Sequence, residues 1–124
     1  MTDSIGIDIV EVARIKQLVE RHGERFIRRV YGPIEQQTLQ ARRDRFPFLA
    51  GRFAAKEAAI KALGKYLTVR PPYQEIEIIN DNAGQPRLRF SEAVSAHLNH
   101  LEFQVSIAHE RSHAVAIVTI RELP

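Results

Sequence analysis

Apolar and polar residues alternate at the start of the chain. Ile5, Ile7 and Ile9 fall on one face of segment 4–10, and Asp8 falls on the opposite face. A period of two residues is typical of a half-buried β-strand. The pattern therefore predicts a first strand that carries an acid among apolar residues.

From Glu11 the period lengthens to that of a helix. The apolar stripe comprises Val12, Ile15, Val19, His22, Phe26 and Val30. A second stripe, about 100° further round the helix, comprises Arg14, Leu18, Arg21, Arg25 and Arg28. This second stripe is basic and contains one leucine, which is expected to be exposed. Gly23 predicts a bend between the two halves, because glycine weakens a helix.

A helix rich in small residues is predicted from Phe48 to Gly64. Pro33 and Pro47 bracket a polar stretch before it, and Gly64 stands at a natural C-cap position. The small residues in its interior are Ala50, Gly51, Ala54, Ala55, Ala58, Ala59 and Ala62. Such residues let a helix approach another backbone closely. The segment is therefore predicted to be the central helix of the fold.

The second half of the chain is predicted to consist mainly of strands. Segments 75–80 and 87–90 flank a run of turn-forming residues and indicate a hairpin. Ser91 is the expected N-cap of a helix that ends near Leu101, and strands are predicted at 103–107 and 114–121. This order indicates an α+β fold, with a largely antiparallel sheet packed against the central helix.

Composition supports one folded domain over residues 1–124. Hydrophobic residues make up 44% of the 124 residues and charged residues 27%, as in globular proteins. Cysteine is absent, which excludes disulfides, thiolate metal sites and a cysteine nucleophile. No apolar run approaches the length of a membrane helix, and no export leader is recognisable. The expected location is the cytoplasm.

Positive charge is concentrated between Arg14 and Arg45. This stretch holds nine basic and four acidic residues, a local charge of +5 in a chain with a net charge of +3. Such a lobe fits a docking surface for nucleic acid or for an acidic protein. It fits a solvated helix face equally well.

Four charged residues stand in otherwise apolar elements, namely Asp8, Lys56, Glu57 and Lys61. Glu57 and Lys61 are four residues apart, so an ordinary helix salt bridge explains them. Asp8 is also explained as a strand-end acid. Alternatively, Asp8 and Glu57 supply carboxylates to magnesium while Lys61 neutralises a phosphate oxygen. Both interpretations remain open at this point.

The histidines fall into two pairs. His97 and His100 lie in the helix predicted after Ser91, where packing or surface roles are ordinary. His109 and His113 flank a polar turn, where a histidine binds phosphate or simply contributes polarity.

Three segments resemble the bacterial holo-[acyl-carrier-protein] synthase family. They are GIDIVE at 6–11, FLAGRFAAKEAAIKALG at 48–64 and VSIAHER at 105–111. They occur in the family's order and span nearly the whole chain. The resemblance implies an enzyme that transfers 4'-phosphopantetheine from coenzyme A to a serine of acyl carrier protein, for fatty acid biosynthesis, and releases adenosine 3',5'-bisphosphate. It also implies magnesium and a homotrimer with coenzyme A bound between subunits, and neither nucleic acid nor membrane as a partner.

The same resemblance implies roles for individual residues. Asp8 and Glu57 match the metal ligands, and Lys61 matches the phosphate-contacting lysine, so that Glu57 and Lys61 are the catalytic candidates. We take Glu57 as the candidate general base for the serine hydroxyl. The positions that match coenzyme A contacts are Arg52, Lys61, Gly64 and His109. The positions that match the carrier-docking helix are Arg14, Leu18 and Arg21.

The chain departs from the family pattern at two places. Lys65-Tyr66-Leu67-Thr68 stands where many members have a small, glycine-containing run, and Ala108 stands where relatives often have a hydroxyl residue. Two rival functions stay open, the first from the residues and the second from the resemblance. One is a nonenzymatic nucleic-acid-binding module built on the arginine-rich helix, which leaves Asp8 and Glu57 without a role. The other is a related transferase that serves peptide or polyketide carrier proteins.

Overall fold

The structure, a computed structural model, describes all 124 residues and contains five strands and five α-helices. In chain order they are β1 (Ser4–Glu11), α1 (Val12–His22), α2 (Glu24–Val30), α3 (Pro33–Gln40), α4 (Arg45–Leu63), β2 (Ile76–Asn80), β3 (Pro86–Phe90), α5 (Glu92–Ser95), β4 (Leu101–His109) and β5 (His113–Glu122). A 3₁₀ turn, Tyr73–Glu75, precedes β2. No helix has both the length and the apolar character needed to cross a membrane.

The strands form two antiparallel sheets. Strand β5 lies between β1 and β4 in a three-stranded sheet, with Ile7 opposite Ile117 and Val105 opposite Val118. Strands β2 and β3 form the predicted hairpin, with Ile78 opposite Leu88. The α+β fold class with antiparallel pairing is therefore confirmed.

Helix α4 is the centre of the molecule, as its small residues predicted. It packs against all three strands of the larger sheet and also against α1, α3 and β2. Its alanines at 54, 55, 58, 59 and 62 are fully buried and belong to a single core cluster of 23 residues. Alanine at these positions brings helix and sheet close together, because the side chain adds little thickness between the two backbones.

Strand β1 approaches the backbone of α4 very closely at Gly6. A β-carbon at this position would lie 2.0 Å from the carbonyl oxygen of Ala58 and 2.9 Å from the amide nitrogen of Ala62. The face of β1 that contains Gly6, Asp8 and Val10 therefore packs on the helix. Asp8 is carried toward α4 by this packing, since it is two residues from Gly6 on the same face.

The isoleucine face of β1 is the outer face. Ile5, Ile7 and Ile9 are 60%, 56% and 64% exposed, whereas Val10 on the opposite face is buried. An apolar face would ordinarily predict the core side of a strand. The opposite arrangement holds here because only the face with a glycine can meet the backbone of α4.

The helical region before α4 differs from expectation in two ways. Gly23, with a φ of 57°, divides the predicted helix into α1 and α2 rather than bending it. The polar stretch between the prolines contains α3, which the sequence did not predict, and α4 begins at Arg45 instead of Phe48. Pro47 is compatible with this start, since the amides in the first turn of a helix have no intrahelical acceptor.

The helix predicted from Ser91 to Leu101 is much shorter than expected. Ser91 does cap it, since its side chain accepts a hydrogen bond from the Val94 amide, but α5 ends at Ser95. A turn follows in which the Leu101 amide donates to the Leu98 carbonyl, and Leu101 then pairs with Glu122 in the sheet. His97 and His100 consequently lie in this turn and not in a helix.

Candidate active site

Asp8 and Lys61 form an ion pair between β1 and α4. Lys61 Nζ lies 3.1 Å from Asp8 Oδ1 and donates a second hydrogen bond of 2.9 Å to the carbonyl oxygen of Ile7. The Asp8 side chain is 17% exposed and that of Lys61 is 54% exposed. The structure thus brings together two candidate site residues that are 53 positions apart in the sequence.

Glu57 is paired with residues that the sequence analysis did not select. Its Oε1 accepts a hydrogen bond of 2.9 Å from Arg70 Nη2 and another from the hydroxyl of Tyr73. Burial, followed by the hydrogen bond with Glu57, raises the pKa of Tyr73, so the hydroxyl stays a proton donor at neutral pH. The salt bridge between Glu57 and Lys61, one of the two interpretations left open by the sequence, does not form, because each residue has a different partner.

Tyr73 itself is held on two sides. Lys56 Nζ donates a 3.1 Å hydrogen bond to the Tyr73 carbonyl, and the Phe53 and Tyr73 rings have centroids 5.4 Å apart. Both Phe53 and Lys56 belong to α4. The Tyr73 hydroxyl is therefore positioned at Glu57 by the same helix that carries Glu57.

Lys56 belongs to a buried ion pair that supports this arrangement. Its Nζ lies 2.6 Å from Glu35 Oε1, neither side chain is exposed, and it also donates to the carbonyl of Ile76. Glu35 accepts further hydrogen bonds from the amides of Gly32 at 3.0 Å and Ile78 at 2.8 Å. Burial raises the pKa of Glu35 and lowers that of Lys56, and their mutual attraction opposes both shifts. The pair ties α3, α4 and β2 together.

Arg52 lies in a separate aromatic and polar cluster at the first half of α4. Its guanidinium carbon is 4.3 Å from the centre of the Phe48 ring, and Nη2 donates to Asn80 Oδ1 at 3.1 Å. The Nε atom is buried without a hydrogen-bond partner, and burial lowers the pKa of the guanidinium. His109 is exposed at the end of β4. Its charge contributes to lowering the pKa of Asp44, for which the Arg42 hydrogen bonds are the main cause.

Gly64 is exposed and occupies the C-cap position of α4, with a right-handed φ of −56°. Segment 65–68, in which the chain departs from the family pattern, follows Gly64 and folds back on the sheet. Tyr66 donates from its hydroxyl to Glu122 Oε2 at 3.1 Å, and Lys65 Nζ lies 3.6 Å from the same oxygen. Lys65 and Tyr66 therefore have a partner at the end of β5.

The three candidate docking residues share one patch on α1. Arg14, Leu18 and Arg21 border the same shallow surface depression with Gln17 and Glu20. Both arginines are exposed, but Leu18 is half-buried against the core and not exposed as expected. Its remaining surface lies between two cationic side chains.

The structure brings Asp8 and Lys61 into contact, and the Gly64 amide donates a hydrogen bond of 3.3 Å to the Lys61 carbonyl. Arg52, His109 and the residues of the α1 patch form no hydrogen bond with Asp8 or Lys61. Arg70 and Tyr73 are the residues that the sequence analysis missed. Pro71 and Pro72 are the one available signal, because they exclude helix and turn the chain after α4. Nothing in the spacing shows that this turn returns to Glu57.

The residues present fit magnesium with oxygen ligands. Asp8 and Glu57 offer carboxylates that are partly exposed, and Glu57 lies one helical turn before Lys61, the partner of Asp8. No cluster of three or more His, Cys, Asp or Glu side chains suited to a metal occurs in the chain. Two protein carboxylates are sufficient, because magnesium ordinarily keeps waters and substrate phosphates as its other ligands.

The sequence and the fold have counterparts among known proteins. The family model of the 4'-phosphopantetheinyl transferase superfamily matches residues 4–118. The chain therefore belongs to the 4'-phosphopantetheinyl transferase superfamily, a family of group-transfer enzymes.

Individual relatives narrow this class. The holo-[acyl-carrier-protein] synthase of Chlorobaculum parvum is 41% identical over 121 residues, which cover 96% of this chain and 98% of the relative. The crystal structure of the synthase from Neisseria meningitidis superimposes with a TM-score of 0.90 at 31% identity, covering 98% of this chain and 100% of that one. The Bacillus anthracis synthase, in complex with CoA (3',5'-ADP), gives 0.81 at 32% identity, covering 100% and 99%. The family resemblance predicted from the three sequence segments is thus confirmed.

Proposed function

We propose that this protein is a holo-[acyl-carrier-protein] synthase that transfers 4'-phosphopantetheine from coenzyme A to a serine of apo acyl carrier protein, in the cytoplasm. The observation that carries the proposal is the match to holo-[acyl-carrier-protein] synthases over nearly the whole chain. The Bacillus anthracis relative contains the coenzyme in its crystal structure, which supports coenzyme A as the donor substrate.

The reaction exchanges one phosphate–oxygen bond for another. The serine oxygen of the carrier attacks the β-phosphorus of coenzyme A, and the bond from that phosphorus to the bridging oxygen breaks. Adenosine 3',5'-bisphosphate leaves with the bridging oxygen. The protein must therefore accept the serine proton, position both substrates and balance negative charge on the phosphates.

The residues around Asp8 are suited to these tasks. Asp8 and Glu57 would hold magnesium, which when bound polarises the phosphoryl group under attack. Lys61 places an ammonium group beside Asp8, where it neutralises a phosphate oxygen as a point charge. Glu57 is the base that receives the serine proton, because its carboxylate is partly exposed and is held at Oε1 by the Tyr73 hydroxyl.

The remaining candidate residues surround the path of a long substrate. Helix α4 carries Arg52 nine residues before Lys61, a separation of about 13 Å along the helix axis. Coenzyme A is long enough to contact Arg52 and His109 with its adenosine end while its diphosphate lies at Lys61 and Gly64. Arg52 and His109 supply positive charge or hydrogen-bond donors there.

The patch of Arg14, Leu18 and Arg21 is the proposed docking surface for the carrier. Two exposed arginines beside the partly exposed leucine fit a partner that offers carboxylates around an apolar residue. Nucleic acid would also be attracted by arginines, but it leaves the Asp8–Lys61 pair and Glu57 without a use. The transferase therefore accounts for both the basic helix and the acidic residues.

Mass spectrometry of apo acyl carrier protein tests the proposal directly. Incubation with this protein, coenzyme A and magnesium is expected to add one phosphopantetheine to the carrier. Omission of the metal or the Asp8→Ala variant should abolish the addition, because either removes part of the metal site. Peptide and polyketide carrier proteins in the same assay distinguish the related transferase. Failure to modify any carrier would overturn the proposed function.

The exposed isoleucines support association of subunits, and the family resemblance implies that three subunits associate. Ile5, Ile7 and Ile9 continue across the sheet to Thr119, Ile117 and Val115, which are their partners on β5 and are only partly buried. A contiguous apolar sheet face of this kind marks an interaction surface. We place the subunit interface on this face, with coenzyme A bound between subunits.

An Ile7→Asp variant is expected to be monomeric, because each interface would then bury an unpaired carboxylate. Sedimentation velocity at a fixed protein concentration measures the change from trimer to monomer. Leu123→Asp is the matched control, since Leu123 is also an exposed apolar residue but follows β5. An Ile7→Asp variant that still sediments as a trimer would place the interface elsewhere.

A further inference from the structure

Each carboxylate of the proposed site already has a cation beside it. Asp8 Oδ1 is 3.1 Å from Lys61 Nζ, and Glu57 Oε1 is 2.9 Å from Arg70 Nη2. Two carboxylates and two cations balance, so the four groups together carry no net charge. A divalent cation is therefore attracted less strongly to this site than to two carboxylates that have no cation beside them.

Arg70 is fixed at Glu57 by several contacts. It lies on the segment between α4 and the 3₁₀ turn, immediately before Pro71 and Pro72. Its Nη2 also contacts the Tyr73 hydroxyl, and its guanidinium carbon is 4.9 Å from the centre of the Tyr73 ring. Because the Arg70 guanidinium stacks on an aromatic ring and contacts both Tyr73 and Glu57, its position is better defined than that of a partner in an isolated surface ion pair.

We propose that Arg70 is an internal counter-ion of Glu57, which makes magnesium bind together with the phosphates of coenzyme A and not before them. This inference rests on the proposed function, which places both the metal and the diphosphate at Glu57. The two carboxylates are neutralised by Lys61 and Arg70, and the diphosphate supplies the additional negative charge that attracts the metal. Before coenzyme A arrives, Arg70 acts on the metal site through Glu57.

Arg70 also has a route to the substrate. Its side chain is 55% exposed, and a guanidinium binds phosphate with the same forked geometry that it uses for carboxylate. As metal and coenzyme arrive, the Arg70 guanidinium leaves the Glu57 carboxylate and binds a phosphate oxygen instead. Binding of metal and coenzyme is then cooperative, and each strengthens the other by the same factor.

Binding of Mn²⁺, followed by electron paramagnetic resonance without any turnover, tests this inference. In the unsubstituted protein, coenzyme A is expected to tighten Mn²⁺ binding at least about tenfold. Arg70→Ala is expected to bind Mn²⁺ about three- to tenfold more tightly than the unsubstituted protein when coenzyme A is absent. Coenzyme A should then strengthen Mn²⁺ binding by a smaller factor, because the competing charge is gone.

Two further variants separate charge from structure. Arg70→Lys keeps the charge and should retain the weak, coenzyme-dependent binding of Mn²⁺. Arg87→Ala is the matched control, because Arg87 pairs with Asp81 at 3.0 Å and is 59% exposed, but it lies on the β2–β3 hairpin. It should leave Mn²⁺ binding unchanged.

The outcomes distinguish this inference from the proposed function. If coenzyme A tightens Mn²⁺ binding but Arg70→Ala behaves like the unsubstituted protein, the role of Arg70 is overturned and the transferase stands. If Arg70→Lys binds Mn²⁺ as tightly as Arg70→Ala, the charge argument is wrong. If no Mn²⁺ binds even with coenzyme A, both the proposed metal site and the inference fail.

Discussion

Lys56→Met is expected to lower the free energy of unfolding by about 3–5 kcal/mol, because it leaves the Glu35 carboxylate buried without its cation. Both side chains of the pair are inaccessible to solvent and lie 2.6 Å apart. The substitution also removes the hydrogen bonds from Nζ to the carbonyls of Tyr73 and Ile76. Urea unfolding followed by circular dichroism, at one fixed protein concentration, measures the loss.

Lys65→Met is the matched control for this prediction. Lys65 forms a salt bridge with Glu122 at 3.6 Å, but both side chains are about half exposed. Such a surface pair contributes little, so the urea midpoint should not change measurably. The double variant Glu35→Gln/Lys56→Met should recover part of the loss, because it no longer buries an unpaired charge. A Lys56→Met variant as stable as the unsubstituted protein would contradict the importance of the pair.

Glu57→Gln is expected to reduce the rate of carrier modification by about 10²–10⁴-fold at saturating magnesium, the usual contribution of a general base. Glutamine preserves the volume and the oxygen that accepts from Arg70 and Tyr73, but it cannot take a proton. Initial rates measured by mass spectrometry of the carrier determine the effect. The substitution should leave the urea midpoint nearly unchanged, since the Glu57 side chain is partly exposed.

Arg121→Ala provides a comparison for Glu57→Gln that leaves the proposed site intact. Arg121 is paired with Glu102 at 2.7 Å, and both side chains are about half exposed. Its loss should change the rate by less than about twofold, as expected for a surface substitution. Full turnover of Glu57→Gln at saturating magnesium would exclude Glu57 as the base and leave it as a metal ligand alone.

The elements with the strongest patterns could be predicted from sequence. The alanine-rich helix, the first strand and the β2–β3 hairpin follow from local spacing and turn residues. The weaker elements could not. Helix α3 lies in a polar stretch between two prolines, and its start is stabilised by Glu77, which accepts from the Ile34 and Glu35 amides at 2.8 and 3.1 Å. That partner is more than 40 positions away.

The candidate site was partly accessible from sequence for the same reason. Asp8, Glu57 and Lys61 stand out because each is a charge in an apolar element, and this contrast is visible in a single segment. Arg70 and Tyr73 lie in a loop without periodicity, where polar residues are ordinary. The missing information is the return of this loop to α4, which depends on contacts between separate elements.

The sequence by itself therefore determined the α+β class, the central helix, the family and the charged residues that carry the proposed chemistry. The tertiary structure alone decided which face of β1 is covered and which partner each charge receives. Lys61 pairs with Asp8 across 53 positions, Lys56 with Glu35 across 21, and Glu57 with Arg70 across 13. Periodicity describes neighbours within one element, whereas these pairs depend on how closely β1, α3 and the loop pack against α4.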